Sequence, residues 1–545
     1  MRIYFLTMAD LDGVIEDSFR SVNHLGIVAG TIDSLKISNL IDEVLPKTRH
    51  HHISHGQVTK AMLLNGLGYV ERRLYLYPEF FEEVAVERLL GEGVQREHLT
   101  DDTLGRTLDA IAAYGSTELF NLIVSRCIHE YGEEIQRIHV DTTSFSVYGD
   151  YDEEDGTDEI RITKGHPKDG RWDLNRFVFG MATNQHGIPL FVKTFSGNES
   201  DKKTLLSIIQ SLRENLDFQH KVYHIADAAF YTEENLKSLG SHMFWISRVP
   251  ATWGEAEKLL DQDIRFSPCM DPRYAWCSRE IEVAGIRQNW VMYRSAEMRE
   301  RTEKTFDKNL VKETENVRKS LKHLRSLEFA CEPDARAAAE RWIQSQSLFR
   351  FLDTQIRTVT HRVHGKRGRP SADESCITRY TIVAEVVPDE ESISDARGKL
   401  GRFILATNDL SVNPDDLLAF YKGQGAVEQG FRFLKDKSFR IAEIFLKKPS
   451  RIQALAVIMV LCLFVYSLTE YRLRKRLKET GESVLSQVKK PTQKPTLKWI
   501  FFKFRGVLEF KLRVRGSPVP RIGNMKPELV KIVSLLGGPY EKYYF

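Results

Sequence analysis

At 545 residues, 42% hydrophobic and 28% charged, the chain is long and apolar enough for two to four well-buried domains, which excludes a disordered or fibrous protein. A net charge of +3 is too small to mark a nucleic-acid binder by bulk charge, so any basic surface must be local. The six cysteines (Cys127, Cys269, Cys277, Cys331, Cys376 and Cys462) form no C-x-x-C pair, so they indicate neither a zinc ribbon nor a disulfide framework and fit a reducing cytosol.

The opening MRIYFLTMADLDG has neither a basic n-region nor a long apolar h-region, so no secretion signal is expected and the cytoplasm is the expected location. Residues 1–132 read as a helical region suited to binding DNA. Ser54–Val70 places Val58, Met62, Leu63 and Leu67 on one face. Leu99–Ile111 follows, with Thr100 or Asp101 as cap and Leu104, Leu108 and Ile111 inward. Lys60, Arg72, Arg73 and Arg106 are available to phosphates. His50, His51, His52 and His55 have no Cys or acid cluster at ligand spacing, so they read as a polar loop and not as a metal site.

Residues 133–250 change pattern. IQRIHVDTTSFSVYG alternates as a strand and carries Asp141. The acidic stretch Asp150–Glu159 reads as a solvated hairpin tip. Two strands turn around Gly187, a helix spans Lys202–Leu216, and KVYHIADAAF is a fourth strand ending at Asp227. A helix near Glu233–Leu239 and the strand MFWISRVP complete a β-β-β-α-β-α-β order, the ribonuclease H-like plan. Lys168 and Arg171, just before the second strand, are candidate DNA contacts, with a simple charged turn as the alternative.

Residues 251–399 read as an inserted domain with strand-like stretches (Ser278–Tyr293, Ile377–Val387) and a long charged helical region, Ser295–Asp353. HGKRGRP contains Arg367 and Arg369 around a glycine, a short match to an arginine pair that lies in a narrow minor groove. Residues 400–470 return to the core. Gly401–Asp409 reads as a strand, and Asn413-Pro414 starts a helix leading into YKGQGAVEQGFRFLK. Read at 100° per residue as one helix, that stretch puts Tyr421, Gln424, Glu428 and Lys435 on one stripe beside Val427, Phe431 and Leu434. Ile452–Leu468 is apolar but short for a membrane span, so it reads as a buried core helix and no membrane is expected. In 471–545, the stretch Tyr471–Gly516 holds 14 Lys or Arg against three Glu, with Trp499, Phe501, Phe502 and Phe504 interleaved, which suits a nucleic-acid surface.

Two strand-borne aspartates, Asp141 and Asp227, and a helix-borne Glu428 are hard oxygen donors of the type that holds Mg²⁺. Phosphodiester cleavage needs an activated attacking oxygen and a stabilised leaving oxygen, which paired divalent cations supply. With these residues in view, the chain resembles a DDE transposase of a bacterial or archaeal insertion sequence, insertion sequence four-like, in the group with a Y-x2-R-x3-E-x6-K signature. The signature runs Tyr421, Gln424, Glu428, Lys435, with Gln at the Arg position, and the resemblance extends from about Ser54 to about Arg474. The spacing also matches a family insertion: 86 residues separate Asp141 from Asp227 and 201 separate Asp227 from Glu428.

The resemblance implies an α/β fold: a ribonuclease H-like mixed sheet flanked by helices and interrupted by a large inserted domain, with a helical N-terminal domain and a helical, basic C-terminal region. It implies Asp141, Asp227 and Glu428 as catalytic ligands of two Mg²⁺ ions (Mn²⁺ may substitute), Lys435 on a phosphate and Tyr421 in support. It also implies a homodimer on double-stranded DNA that cleaves inverted-repeat ends and joins them to target. Trp276 and Trp290 are candidates for holding a flipped base, with buried strand residues as the alternative. A transposase-derived DNA-binding protein without catalysis, and a metal-dependent nuclease that cleaves without joining, remain open.

Overall fold

The computed structural model describes residues 11–15, 18–47, 52–68, 77–128, 134–149, 151, 160–166, 170–215, 220–240, 243–362, 376–435, 448–514 and 517–545. His50, His51, Arg72, Arg73, Lys168, Arg367, Arg369 and most of the acidic stretch Asp150–Glu159 lie outside them.

The chain opens with the short strands β1 (Leu11–Val14) and β2 (Arg20–Ser21). Helices α1 (Leu25–Ser34), α2 (Ile37–Val44), α3 (His55–Gly66), α4 (Tyr77–Phe80), α5 (Val86–Leu90), α6 (Asp101–Tyr114) and α7 (Ser116–Cys127) follow. Caps explain where two of them begin. Ser54 and Gln57 form a reciprocal capping box on α3, and the Thr100 hydroxyl accepts from Thr103 N at the start of α6.

The core then runs β3 (Arg137–Val147), β4 (Asn175–Asn184), β5 (Pro189–Ser196), α8 (Asp201–Asn215), β6 (Tyr223–Ala226), α9 (Glu233–Leu239) and β7 (Phe244–Arg248). β3, β4 and β5 form an antiparallel meander, while β6 pairs parallel with β3 and β7 parallel with β6. This is the ribonuclease H-like order expected from the sequence. Helices cover both faces: Ile208 of α8 lies against Gly180 of β4 on one side, and Met181 lies against the candidate-site helix on the other.

After α10 (Gly254–Leu260), the strands β8 (Ser267–Pro268), β9 (Tyr274–Val283) and β10 (Ile286–Ser295) join this sheet instead of forming a separate body. Trp290, Val291, Met292 and Tyr293 are all buried, so β10 is covered on both faces and must be internal. The part that stands apart is α11 (Ala296–Ser326), β11 (Glu328–Phe329), α12 (Glu332–Gln344), β12 (Phe349–Arg362) and β13 (Cys376–Pro388), with its own three-stranded sheet and apolar cluster. The chain returns through α13 (Glu390–Gly398) to β14 (Arg402–Thr407), which lies between β7 and β10. The complete sheet has nine strands in the order β5-β4-β3-β6-β7-β14-β10-β9-β8.

Helices α14 (Pro414–Lys422), α15 (Gly425–Leu434) and α16 (Pro449–Thr480) come next. The apolar window of α16 is long enough to cross a membrane by length and composition, and 83% of it is buried inside the protein. It packs against α1, α3, α6, α7, α15 and β5, which makes it the central helix of the molecule. The end of the chain forms β15 (Val484–Leu485), β16 (Pro491–Thr492), α17 (Leu497–Lys503), β17 (Leu508–Val514), β18 (Ser517–Gly523), α18 (Pro527–Leu536) and α19 (Gly538–Glu541). It folds back onto the beginning: β17 pairs with β1 and β2, and Lys60 of α3 donates to Asp33 and to the Tyr543 hydroxyl. This packing removes most of the aromatic surface expected there. Phe501 and Phe504 are buried and Trp499 donates to Leu485 O, so among these rings Phe502 is the exposed one.

Candidate active site

Asp141 lies within β3, beyond its pairing with β6. That parallel register runs Arg137↔Tyr223, Ile138↔His224, His139↔Ile225, and continuing it brings Asp141 level with Asp227 just past the end of β6. Neighbouring strands lie about 4.8 Å apart, so the register sets the backbones of the two aspartates side by side. Both residues are half-buried. The Thr142 amide donates to Asp141 Oδ1 at 2.7 Å, and the Ala229 amide donates to Asp227 Oδ1 at 3.0 Å. Ser247 of β7 donates to the Asp227 carbonyl at 2.8 Å, which ties the turn to the sheet.

The stretch Tyr421–Lys435 is not the single helix expected. Tyr421 lies in the last turn of α14, Gly423 and Gln424 form a tight junction, and Glu428 lies in the first turn of α15. A Cβ on Gly423 would stand 2.6 Å from His139 Cε1, so only glycine lets the junction lie this close to β3. The two ends of α15 then grip β3. Gln424 Nε2 donates to Val140 O at 2.9 Å, and Lys435 Nζ donates to Thr143 Oγ1 at 2.5 Å. Asp141 sits between these two attachment points and shares its strand face with Thr143. Glu428, exposed, projects from the helix that bridges them.

Gln424 therefore departs from its expected place on the stripe with Glu428 and Lys435. It is 8% exposed and its amide is spent on a backbone carbonyl. Gln424 lies seven residues before Phe431, so the helical period sets it at the border of the buried stripe, and the contact with β3 decides its side. Lys435 does lie open to solvent beside Asp141, and its ammonium is 5.5 Å from the Phe145 ring centroid.

Tyr421 is half-buried near the end of α14. Burial raises its phenol above the ordinary value, Arg248 opposes this, and the charges of Asp227, Glu428 and Asp141 add to the rise. Arg248 was missed in the sequence reading. The Ala226↔Ser247 register brings it level with Asp227 at the end of β7, with its guanidinium 5.6 Å from the Phe403 ring centroid. The available signal was its place at the carboxyl end of a parallel strand, where α/β sheets open their clefts. Next to the junction, burial lowers the His139 imidazole to about 4, so it is neutral at pH 7.

Among the described residues no three His, Cys, Asp or Glu side chains stand close enough together to hold a metal ion. The donor set still fits Mg²⁺, which binds through one or two carboxylates and keeps waters and substrate oxygens in its octahedron. Of the other candidates, Arg171 makes a two-pronged ion pair with Asp173 at 2.9 Å. Trp290 is buried and donates to the Tyr231 hydroxyl, and Trp276 is half-buried in β9, as strand residues would be. His55 is buried against Thr107, and His52 stacks on His98.

Comparison with known families supports the same picture. A family described as "Transposase DDE domain" matches residues 133–465, from before β3 into α16 and more than half of the chain. A second family, described as a domain of unknown function (DUF4277), matches residues 17–125. No curated protein matches the chain. The match across the whole divided core, together with the order of its strands, shows that the chain belongs to the DDE transposase family.

Proposed function

We propose that the chain binds the terminal inverted repeats of its own insertion sequence, cleaves the phosphodiester at each end and joins the freed 3′-hydroxyl to target DNA. The observation that carries this reading is the clamp of α15 over β3: Gln424 on Val140 and Lys435 on Thr143, with Asp141 between them and Asp227 level with it. Asp141, Asp227 and Glu428 are the proposed ligands of two Mg²⁺ ions, with Mn²⁺ able to substitute. Divalent cations bound there would supply activation of the attacking oxygen and neutralisation of the leaving oxygen.

The chain's own groups do the rest. Lys435 meets a phosphate beside Asp141 as a compact point charge. Arg248 offers a second cation from β7, which compensates for the glutamine at the signature's arginine position. Tyr421, held protonated at neutral pH, donates to a substrate oxygen or orients a carboxylate. Assignment to the Y-x2-R-x3-E-x6-K group, a homodimer that pairs two ends, and a nucleoid location belong to the same proposal.

The test is cleavage and binding of duplex DNA taken from the sequence flanking the gene. Asp141→Ala, Asp227→Ala and Glu428→Ala should each abolish Mg²⁺-dependent cleavage while sparing binding. Full cleavage by all three variants would overturn the assignment. Binding without cleavage by the unaltered chain would favour a non-catalytic derivative. Cleavage without joining of precut ends would favour a nuclease.

A further inference from the structure

The chain after α16 carries a positive surplus that its own acids do not absorb. From Ser483 to Leu508 the sequence has six Lys or Arg and no acid. Three acids reach this stretch from outside it, and each already meets a cation: Glu470 meets Arg474 at 2.8 Å, Glu482 meets Lys531 at 3.0 Å and Glu528 meets Lys503 at 2.8 Å. Glu528 also accepts from Leu485 N, and Glu470 from Leu497 N. Lys489, Lys490, Lys494 and Arg505 are exposed, and among the described residues none of these four has an acidic partner. Leu485, Val488 and Phe502, exposed in the same stretch, carry no charge.

The rings of α17 fix how these cations are presented. Trp499 Nε1 donates to Leu485 O at 2.7 Å. Phe502 stacks on Trp499, with ring centroids 5.2 Å and planes 12° apart, and the Arg505 guanidinium lies 5.2 Å from the Phe502 centroid. Leu485 pairs with Pro491, and the turn between β15 and β16 presents Lys489, at φ 57°, and then Lys490. One chain of contacts thus joins Arg505 to the lysine turn. Past Arg505 the sign changes. Gly506 N donates to Asn23 Oδ1, and Asn23 lines a cavity with Glu79, Glu82 and Glu83, so Arg505 marks an edge of the patch.

A surface with surplus positive charge attracts a polyanion. A second copy docked by a two-fold axis would set the same cations against each other, which disfavours self-association here. A guanidinium over a ring is oriented in advance, and lysine meets a phosphate as a point charge without reading a base. Tyr466 brings this patch next to the helix that carries Glu428. Its ring lies 4.9 Å from Phe433 of α15 and 6.0 Å from Phe501 of α17, and its hydroxyl accepts from Lys498 N at 3.1 Å. We infer that the β15–β16 turn and Arg505 hold the sugar–phosphate backbone of duplex DNA that runs past the candidate active site, whatever its sequence, with Phe502 positioning Arg505. The inference rests on the reading of the chain as a protein that acts on DNA.

The test uses the full chain and two duplexes of about 60 base pairs, one from the DNA flanking the gene and one with that sequence scrambled, with fluorescence anisotropy from about 50 to 200 mM salt. Lys489→Ala/Lys490→Ala/Arg505→Ala should weaken binding to both duplexes alike and reduce the salt slope by about 3, one for each lost cation. Lys489→Arg/Lys490→Arg/Arg505→Lys should keep the slope. Phe502→Ala should also keep it while weakening binding about two- to five-fold, because the charge stays and its orientation is lost. Full affinity in Phe502→Ala would overturn the positioning role. A loss confined to the flanking duplex would overturn the backbone assignment, since these residues would then read bases. Unchanged DNA binding in the triple alanine variant with an altered sedimentation mass would also overturn it and make the patch a contact between copies. If the unaltered chain binds neither duplex, the DNA reading fails and this inference fails with it. If it binds both and the triple alanine variant matches it in affinity and slope, this inference alone fails.

Discussion

Gln424 offers a sharp test of how the candidate site is built, because sequence and structure give it different jobs. As a signature residue it would face DNA, and replacing it with arginine should restore a phosphate contact. In the structure it is 8% exposed and donates to Val140 O at 2.9 Å, beside a neutral buried imidazole. Gln424→Ala removes that bond and leaves a buried carbonyl without its donor, which costs about 1–3 kcal/mol. The cost falls on the docking of α15, so the clamped arrangement should lose roughly 5- to 150-fold in relative population. Gln424→Arg pushes a charge into the same space, where Arg137 already disfavours positive charge on His139. An uncompensated buried charge costs several kcal/mol. Both variants should lower the unfolding midpoint and slow cleavage, Gln424→Arg more than Gln424→Ala, while binding of flanking DNA persists. Thermal unfolding beside a single-turnover cleavage assay measures this. A Gln424→Arg chain as stable as the unaltered one and faster in cleavage would refute the argument.

Two further outcomes follow from burial around the core. Burial lowers His24, His139 and His224 to about 4, whereas an unfolded histidine titrates near 6.5. Between these values the unfolded chain binds more protons, so stability should fall as pH drops from about 6.5 to 4, by up to about 4 kcal/mol per pH unit for three protons. Denaturant unfolding across that range checks it, and a flat profile from pH 7 to 5 would contradict it. Gly423→Ala places a methyl 2.6 Å from His139 Cε1 and should cost about 1–3 kcal/mol and slow cleavage. Gly430→Ala, whose nearest neighbour is the flexible end of Met181 at 2.9 Å, should cost less, and equal effects would refute the close-approach argument.

The sequence by itself determined the strand order of the core and the burial of the central helix. Each of these rests on local period and spacing. HVDTTSF and KVYHIADAAF alternate as strands, and Ile452–Leu468 is apolar on every side, as a helix enclosed by α1, α3, α6 and α7 must be. Other features depended on contacts between distant residues, which no local pattern encodes. A Cβ on Gly423 would stand 2.6 Å from His139, and Gln424 after it is buried against the same strand. β9 and β10 read as parts of an insertion because they follow the fifth strand in the chain, yet pairing with β14 makes them part of the core sheet. Phe501 and Phe504 looked like stacking surfaces until the folded-back chain end covered them. Arg248 is an ordinary strand arginine in sequence and acquires meaning through register, which brings it level with Asp227. Periodicity fixes which way a side chain faces within its own element, while the tertiary structure decides what stands opposite that face.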